Sequence, residues 1–159
     1  MENRADEAVS RFMRGYNCAQ AVSSVFADDV GGVPEEVILC AATGFGGGVG
    51  GHTGGTCGAV SGAVLALGLL FGSTGPGEKT AKDLTYGLTR EFVARFVEKN
   101  GTVSCTELLG CDLSTGEGLA RAREENLTRT LCPPCYVKDA VEILEEVLAP
   151  VTSGQSTRR

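Results

Sequence analysis

The chain has 159 residues, 42% of them hydrophobic, which is enough for a core of its own in one soluble domain. Its 14 basic and 20 acidic side chains leave a net charge of −6, and with no basic patch or interleaving of aromatic and basic residues, nucleic acid and anionic membrane surfaces are excluded as partners. The amino terminus MENRADEAVSRF reads as no secretory leader, and the longest apolar run, about 58–72, is short of the ~20 residues a membrane span needs.

These features predict a cytoplasmic protein, and there its seven cysteines, at 18, 40, 57, 105, 111, 132 and 135, stand out. In a reducing compartment, clustered thiols point to metal or redox chemistry more than to structural disulfides.

In chain order, Ala5, Ala8, Val9, Phe12, Tyr16, Ala19, Val22 and Phe26 recur at helical spacing and predict one helix over 4–27, with Cys18 to one side of its apolar stripe. There Cys18 reads equally well as a ligand or redox thiol and as a small buried hydrophobe. Pro34, Glu35 and Glu36 suit the first turn of a second helix running to about Thr43, in whose VILCAA run Cys40 reads as a buried packing residue.

The stretch GFGGGVGGHTGGTCGAVSGAVLALGLLFG, 44–72, is the centre of the pattern: a glycine loop, then Cys57, then a buried helix of alternating small and large apolar residues. Glycines 46, 48 and 51 formally satisfy GxGxxG, but no strand-loop-helix context surrounds them and no GK[ST] follows, so nucleotide binding is not expected. His52, the only histidine, reads as solvated in this loop. A helix from about Glu78 to Lys99 follows, with Ala81, Leu84, Leu88, Phe92 and Phe96 on one face and Gly101 suited to a left-handed cap.

Ser104 to Glu107 spell a capping box that places Cys105 in the first turn of a short helix, with Cys111 close behind. A helix over about 116–127 leads to Cys132-Pro-Pro-Cys135 and a strongly amphipathic last helix, stopped by Pro150 and followed by a disordered tail, 150–159. A CxxC ahead of a helix is the thioredoxin-like arrangement, but its βαβ context is missing; it is also half a zinc site, with no second CxxC to complete it. The predicted fold is all-α: one domain, 1–149, built as a bundle of about five main helices with a glycine-rich loop and short connecting helices.

NCAQAV around Cys18, GFGGG running into CGAVSG at Cys57, SCTELLG at Cys105, and a cysteine shortly before YVKDAVEILEE resemble the C-GCAxxG-C-C family of redox-active proteins, from about Tyr16 to Leu148. The resemblance implies a helical protein whose four signature cysteines act together in redox chemistry or cofactor binding. Three map to Cys18, Cys57 and Cys105; the fourth is Cys132 or Cys135, with the C-P step favouring Cys132. Two function classes follow. In the first, Cys18, Cys57, Cys105 and Cys132 are the ligands of an iron-sulfur or other metal centre for electron transfer or redox sensing, with Gly46, Gly47 and Gly48 beside it and a protein electron donor or acceptor as partner. In the second, a cysteine pair cycles between dithiol and disulfide without metal, as a thiol-disulfide oxidoreductase; a structural zinc is the bland alternative. Helix starts at Cys57, Cys105 and Cys132 favour negative charge enough for one thiolate but not for several side by side, which predicts that the reduced site either binds a cation or cluster, or keeps most thiols protonated around one reactive thiolate at Cys57.

Overall fold

An interruption near the amino terminus decides where the site can form. In the computed structural model, which describes residues 3–155, α1 (Arg4–Met13) ends at Arg14, Gly15 takes a φ of 111° that only glycine adopts easily, and α2 (Cys18–Ser24) starts afresh behind Asn17. The single helix expected over 4–27 is therefore two. The cause is a reciprocal capping box: the Gln20 N–H donates to Asn17 Oδ1 at 2.9 Å and the Asn17 N–H donates to Gln20 Oε1 at 3.0 Å. Cys18 becomes the first residue of α2 instead of a side-facing position along a long helix.

Helix α3 (Glu35–Ala42) follows Pro34 and buries Ile38 and Ala42. Cys40 is exposed, so the expectation of a buried packing residue is wrong. At ~100° per residue, Cys40 stands about 200° from both Ile38 and Ala42, on the opposite side of the helix. After the glycine loop, α4 (Gly58–Phe71) packs against α2 and also against the two longest helices, α5 (Lys79–Asn100) and α9 (Lys138–Gln155). Its small residues are what let α2 approach: a Cβ on Gly62 would lie 2.6 Å from the Ala19 carbonyl oxygen and 2.9 Å from its Cα. Within α5, Leu88, Phe92 and Phe96 are buried as their spacing predicts, whereas Leu84 of the same stripe is left 41% exposed.

Short helices α6 (Cys105–Leu109), α7 (Gly116–Glu124) and α8 (Leu127–Leu131) complete the carboxy-terminal half, and the helix expected over 116–127 is broken at Asn126, whose φ is 53°. A π-helical stretch, Cys132–Val137, then joins α8 to α9. Pro133 and Pro134 have no N–H to donate and their rings crowd the preceding turn, which widens it. Cys132 therefore lies inside a continuous helical path and not at a free amino terminus. Nor does Pro150 stop α9, which runs on to Gln155. Val147, Leu148 and Val151 keep packing against the core on both sides of the proline, and that burial offsets the single missing bond. Residues 156–159 of the expected tail lie outside the described residues.

Among the described residues the fold is all-α, with nine α-helical segments and no strand. Its apolar residues form two clusters: a large one from α1, α2, α4, α5 and α9, and a small one of Cys105, Leu109, Cys111, Leu113 and Ala122, against which Leu119, Leu127, Leu131 and Cys132 pack. The contact between α2 and α4 yields a paired prediction. Gly62→Val forces backbone apart and should cost about 1–3 kcal/mol, whereas a Cβ on Gly68 meets nothing within 4 Å, so Gly68→Ala should stabilise by about 0.5–1 kcal/mol. Urea unfolding of the two variants checks both signs.

Candidate functional site

Cys18, Cys57, Cys105 and Cys132 line one cavity of about 120 Å³, between the two apolar clusters. Cys135 is partly exposed and is not among the residues lining it. Each signature thiol is set in place by a different local device. The capping box starts α2 at Cys18. Cys57 and Cys105 are placed as a pair: the Cys57 N–H donates to the Val103 carbonyl and the Cys105 N–H to the Gly55 carbonyl, both at 2.7 Å, around an antiparallel bridge between Thr56 and Ser104. Two chain segments thus run alongside one another for a few residues, and each then turns into a helix carrying a cysteine at its start. Cys132 is held by the π-helical stretch, which Tyr136 fastens to α6 by donating its hydroxyl to the Leu108 carbonyl at 2.7 Å.

The glycine loop completes the wall. Its residues Gly47 to Gly51, Val49 included, all have positive φ, winding the backbone into a left-handed turn. Gly47 lines the cavity, and its N–H is among those directed at the Cys18 sulfur. Gly46 and Gly48 act through close packing: a Cβ would come within 2.7 Å of the Asn17 side chain at the first and of the Cys105 Cβ at the second. A Cβ on Gly58 would overlap the Cys18 sulfur. His52 is exposed in the loop and is not among the lining residues.

The cavity wall exposes carbon and sulfur, and none of its lining residues is charged. Burial accordingly pushes the Cys57 thiol up to about 12, helped by neighbouring Cys18 and opposed by the backbone N–H groups of Ala59 and Val60. Cys105 rises to about 11 through burial, then through Cys18 and Cys111. Cys18 and Cys132 are also raised, each chiefly by burial, and in Cys132 further by the other cavity sulfurs and Cys135. Of the two expected states of the reduced site, the one with a reactive thiolate at Cys57 is therefore disfavoured. A helix start contributes up to ~2 kcal/mol, and desolvation of four adjacent sulfurs exceeds it.

This donor set fits a soft metal centre. Thiolates are the ligands such centres take, and main-chain N–H groups already point at Cys18 and Cys57. Among the described residues no group of three or more His, Cys, Asp or Glu is disposed to hold a metal ion; the sulfurs stand around the cavity. Sequence reasoning missed Asn17, Leu108 and Tyr136. The Asn17-to-Gln20 spacing is a legible capping box, while nothing in the sequence marks Tyr136 as reaching Leu108.

These features define a small all-helical protein with a buried cysteine-lined cavity. The chain matches the family described as "Putative redox-active protein (C_GCAxxG_C_C)" over residues 16–147, and it belongs to that family. No curated protein and no solved structure matches it. Among the described residues no helix is long and apolar enough to cross a membrane.

The raised thiols carry a pH dependence with a definite sign. Burial pushes the Cys57 thiol from the ordinary thiol range up to about 12, so the native state holds its proton more tightly than the unfolded chain. That stability is fully present below about pH 9 and is lost as pH rises towards 12, by up to ~1.4 kcal/mol per pH unit for each such thiol. Urea unfolding of reduced, metal-free protein from pH 8 to 11 should show the fall, and Cys57→Ser should flatten it. In the same protein at neutral pH, alkylation followed by peptide mass spectrometry should label Cys40 well before Cys57.

Proposed function

We propose that the protein is a redox carrier or sensor whose Cys18, Cys57, Cys105 and Cys132 together hold an iron-sulfur cluster. Its setting would be reducing and cytoplasmic, with a protein electron donor or acceptor as partner. The observation that carries this reading is the arrangement of four thiols around an apolar cavity with no charged residue in its wall, Cys18, Cys57 and Cys105 buried and Cys132 partly buried, all held towards the protonated form by desolvation. Such thiols are poor nucleophiles, and ionising them together requires a positive centre between them. A cluster supplies that charge and one-electron chemistry when bound.

The chain's own residues have three tasks in this reading. Backbone N–H groups at the starts of α2 and α4 hydrogen-bond sulfur, which tunes reduction potential. Phe12, Leu108, Leu109 and Leu113 keep water from the cavity. Tyr136 holds the element bearing Cys132 against the one bearing Cys105. A single zinc ion is less well supported, because it needs its sulfurs about 2.3 Å from one point and these stand around a larger space.

Anaerobic reconstitution with ferrous iron and sulfide tests the proposal. The expected product is a brown protein with bound iron and sulfide in equal amounts. Cys18→Ser, Cys57→Ser, Cys105→Ser and Cys132→Ser should each lose most of the iron, and Cys40→Ser should keep it. A colourless product with stoichiometric zinc, or a metal-free protein with a disulfide among these four cysteines, would overturn it.

A further inference from the structure

The Cys-Pro-Pro-Cys run is only half used by the cavity. Both cysteines are partly exposed, but Cys132 lines the cavity, while Cys135, three residues on in the same π-helical stretch, is not among the lining residues. In an α-helix, side chains three apart have Cβ atoms about 5–6 Å apart; the wider π-helical turn sets them further apart, and a disulfide requires about 3.5–4.5 Å. Closing the pair therefore takes a local rearrangement of the turn that brings the two Cβ atoms at least about 1–2 Å closer. Pro133 and Pro134 make this the easiest place in the helix for such a movement. They have removed the two N–H bonds that would hold the turn, and their fixed φ leaves the intervening backbone little freedom to lose when the ring closes.

We propose that Cys132 and Cys135 form a second redox site, a dithiol that reacts with low-molecular-weight disulfides. Cys135, the member outside the cavity, attacks one sulfur of a disulfide RSSR as its thiolate, forming Cys135–S–S–R and releasing the first RS⁻, which takes up the Cys135 proton. The rearrangement of the turn draws the Cys132 sulfur out of the apolar wall that keeps it protonated; Cys132 then attacks the Cys135 sulfur as its proton passes to the departing RS⁻, releasing the second RSH and forming the Cys132–Cys135 bond. Two protein thiols are oxidised to one disulfide, one RSSR is reduced to two RSH, and both thiol protons leave with the products. The pair's reactivity does not depend on the cluster. Its consequence does rest on the proposed function: the bond takes Cys132 out of the four-sulfur set, so oxidation by a disulfide would release the cluster.

The test equilibrates the full-length, metal-free, reduced protein in buffers of rising glutathione disulfide to glutathione ratio, then alkylates and digests it with trypsin. Cleavage after Arg129 and Lys138 isolates both cysteines in one peptide, 130–138, with no other thiol. Most of this peptide should carry an internal disulfide, lighter by two hydrogens, under conditions where exposed Cys40 carries a glutathione adduct. Cys135→Ser should abolish the internal disulfide and still load iron on reconstitution. The proposal is overturned if peptide 130–138 stays doubly alkylated while Cys40 is modified, or if Cys132 is found linked to Cys18, Cys57 or Cys105. It is also overturned if Cys135→Ser loses iron that Cys132→Ser retains, since Cys135 would then be the ligand. Failure of the wild-type chain to take up iron would sink the cluster reading alone and leave the peptide result standing.

Discussion

The site depends on how closely α2 and α4 approach. Side chains of ordinary size at Gly58 and Gly62 would run into the Cys18 sulfur and the Ala19 backbone. Removing them lets the two helix starts lie side by side, so that the sulfur at the head of α2 meets Cys57 at the head of α4. Everything else in the site is arranged against this contact. The glycine loop folds back over it through backbone bonds such as Gly50 N–H to Gly44 O and Gly55 N–H to Gly48 O, at 2.8 and 2.9 Å. The side chain of Asn17 is shared between capping α2 and donating to the Thr43 carbonyl at 2.9 Å, which ties α2 to the residues just ahead of that loop.

A second constraint is where the apolar surface goes. Cys18 and Cys57 belong to the large cluster, while Cys105, with Cys132 packed against it, belongs to the small one. The cavity is the seam between them. Connections that hold the seam together include the short ladder around Thr56 and Ser104, the Thr106 hydroxyl donating to the Gly54 carbonyl at 3.2 Å, the Tyr136 hydroxyl, and the continuous helical path from α8 into α9. A group bound by all four sulfurs would cross-link the two clusters, so binding and stability at this site are coupled in the way that metal ligation is coupled to folding in small proteins.

Electrostatics at the seam follow from burial more than from helix geometry. Helix starts supply N–H groups to Cys18 and Cys57, and these lower the cost of charge there. They cannot match the penalty of removing four sulfurs from water beside one another with no lysine, arginine or histidine among the lining residues. Arg121, outside the cavity wall, donates its guanidinium to the Gly110 carbonyl at 3.1 Å.

The order of helices, the glycine loop, the caps at Ser104 and Gly101, and the identity of the family were legible in the sequence because each is written in local pattern: spacing, cap residues and motif order. The all-α class follows from the same signals. Where the reading failed, the deciding forces were not in the window being read. A capping pair at Asn17 and Gln20 overrode a helical stripe that continued through it, and the opposite faces of a short apolar helix left Cys40 in water although its neighbours are apolar. Continued burial beyond Pro150 carried α9 past a residue that stops isolated helices. Which cysteines meet was a tertiary outcome. Cys132 lines the cavity and Cys135 does not, in a stretch where two prolines reshape the helix and Tyr136 reaches back to Leu108, and the thiols are held towards the protonated form because desolvation is set by what packs around a sulfur, which no local sequence records.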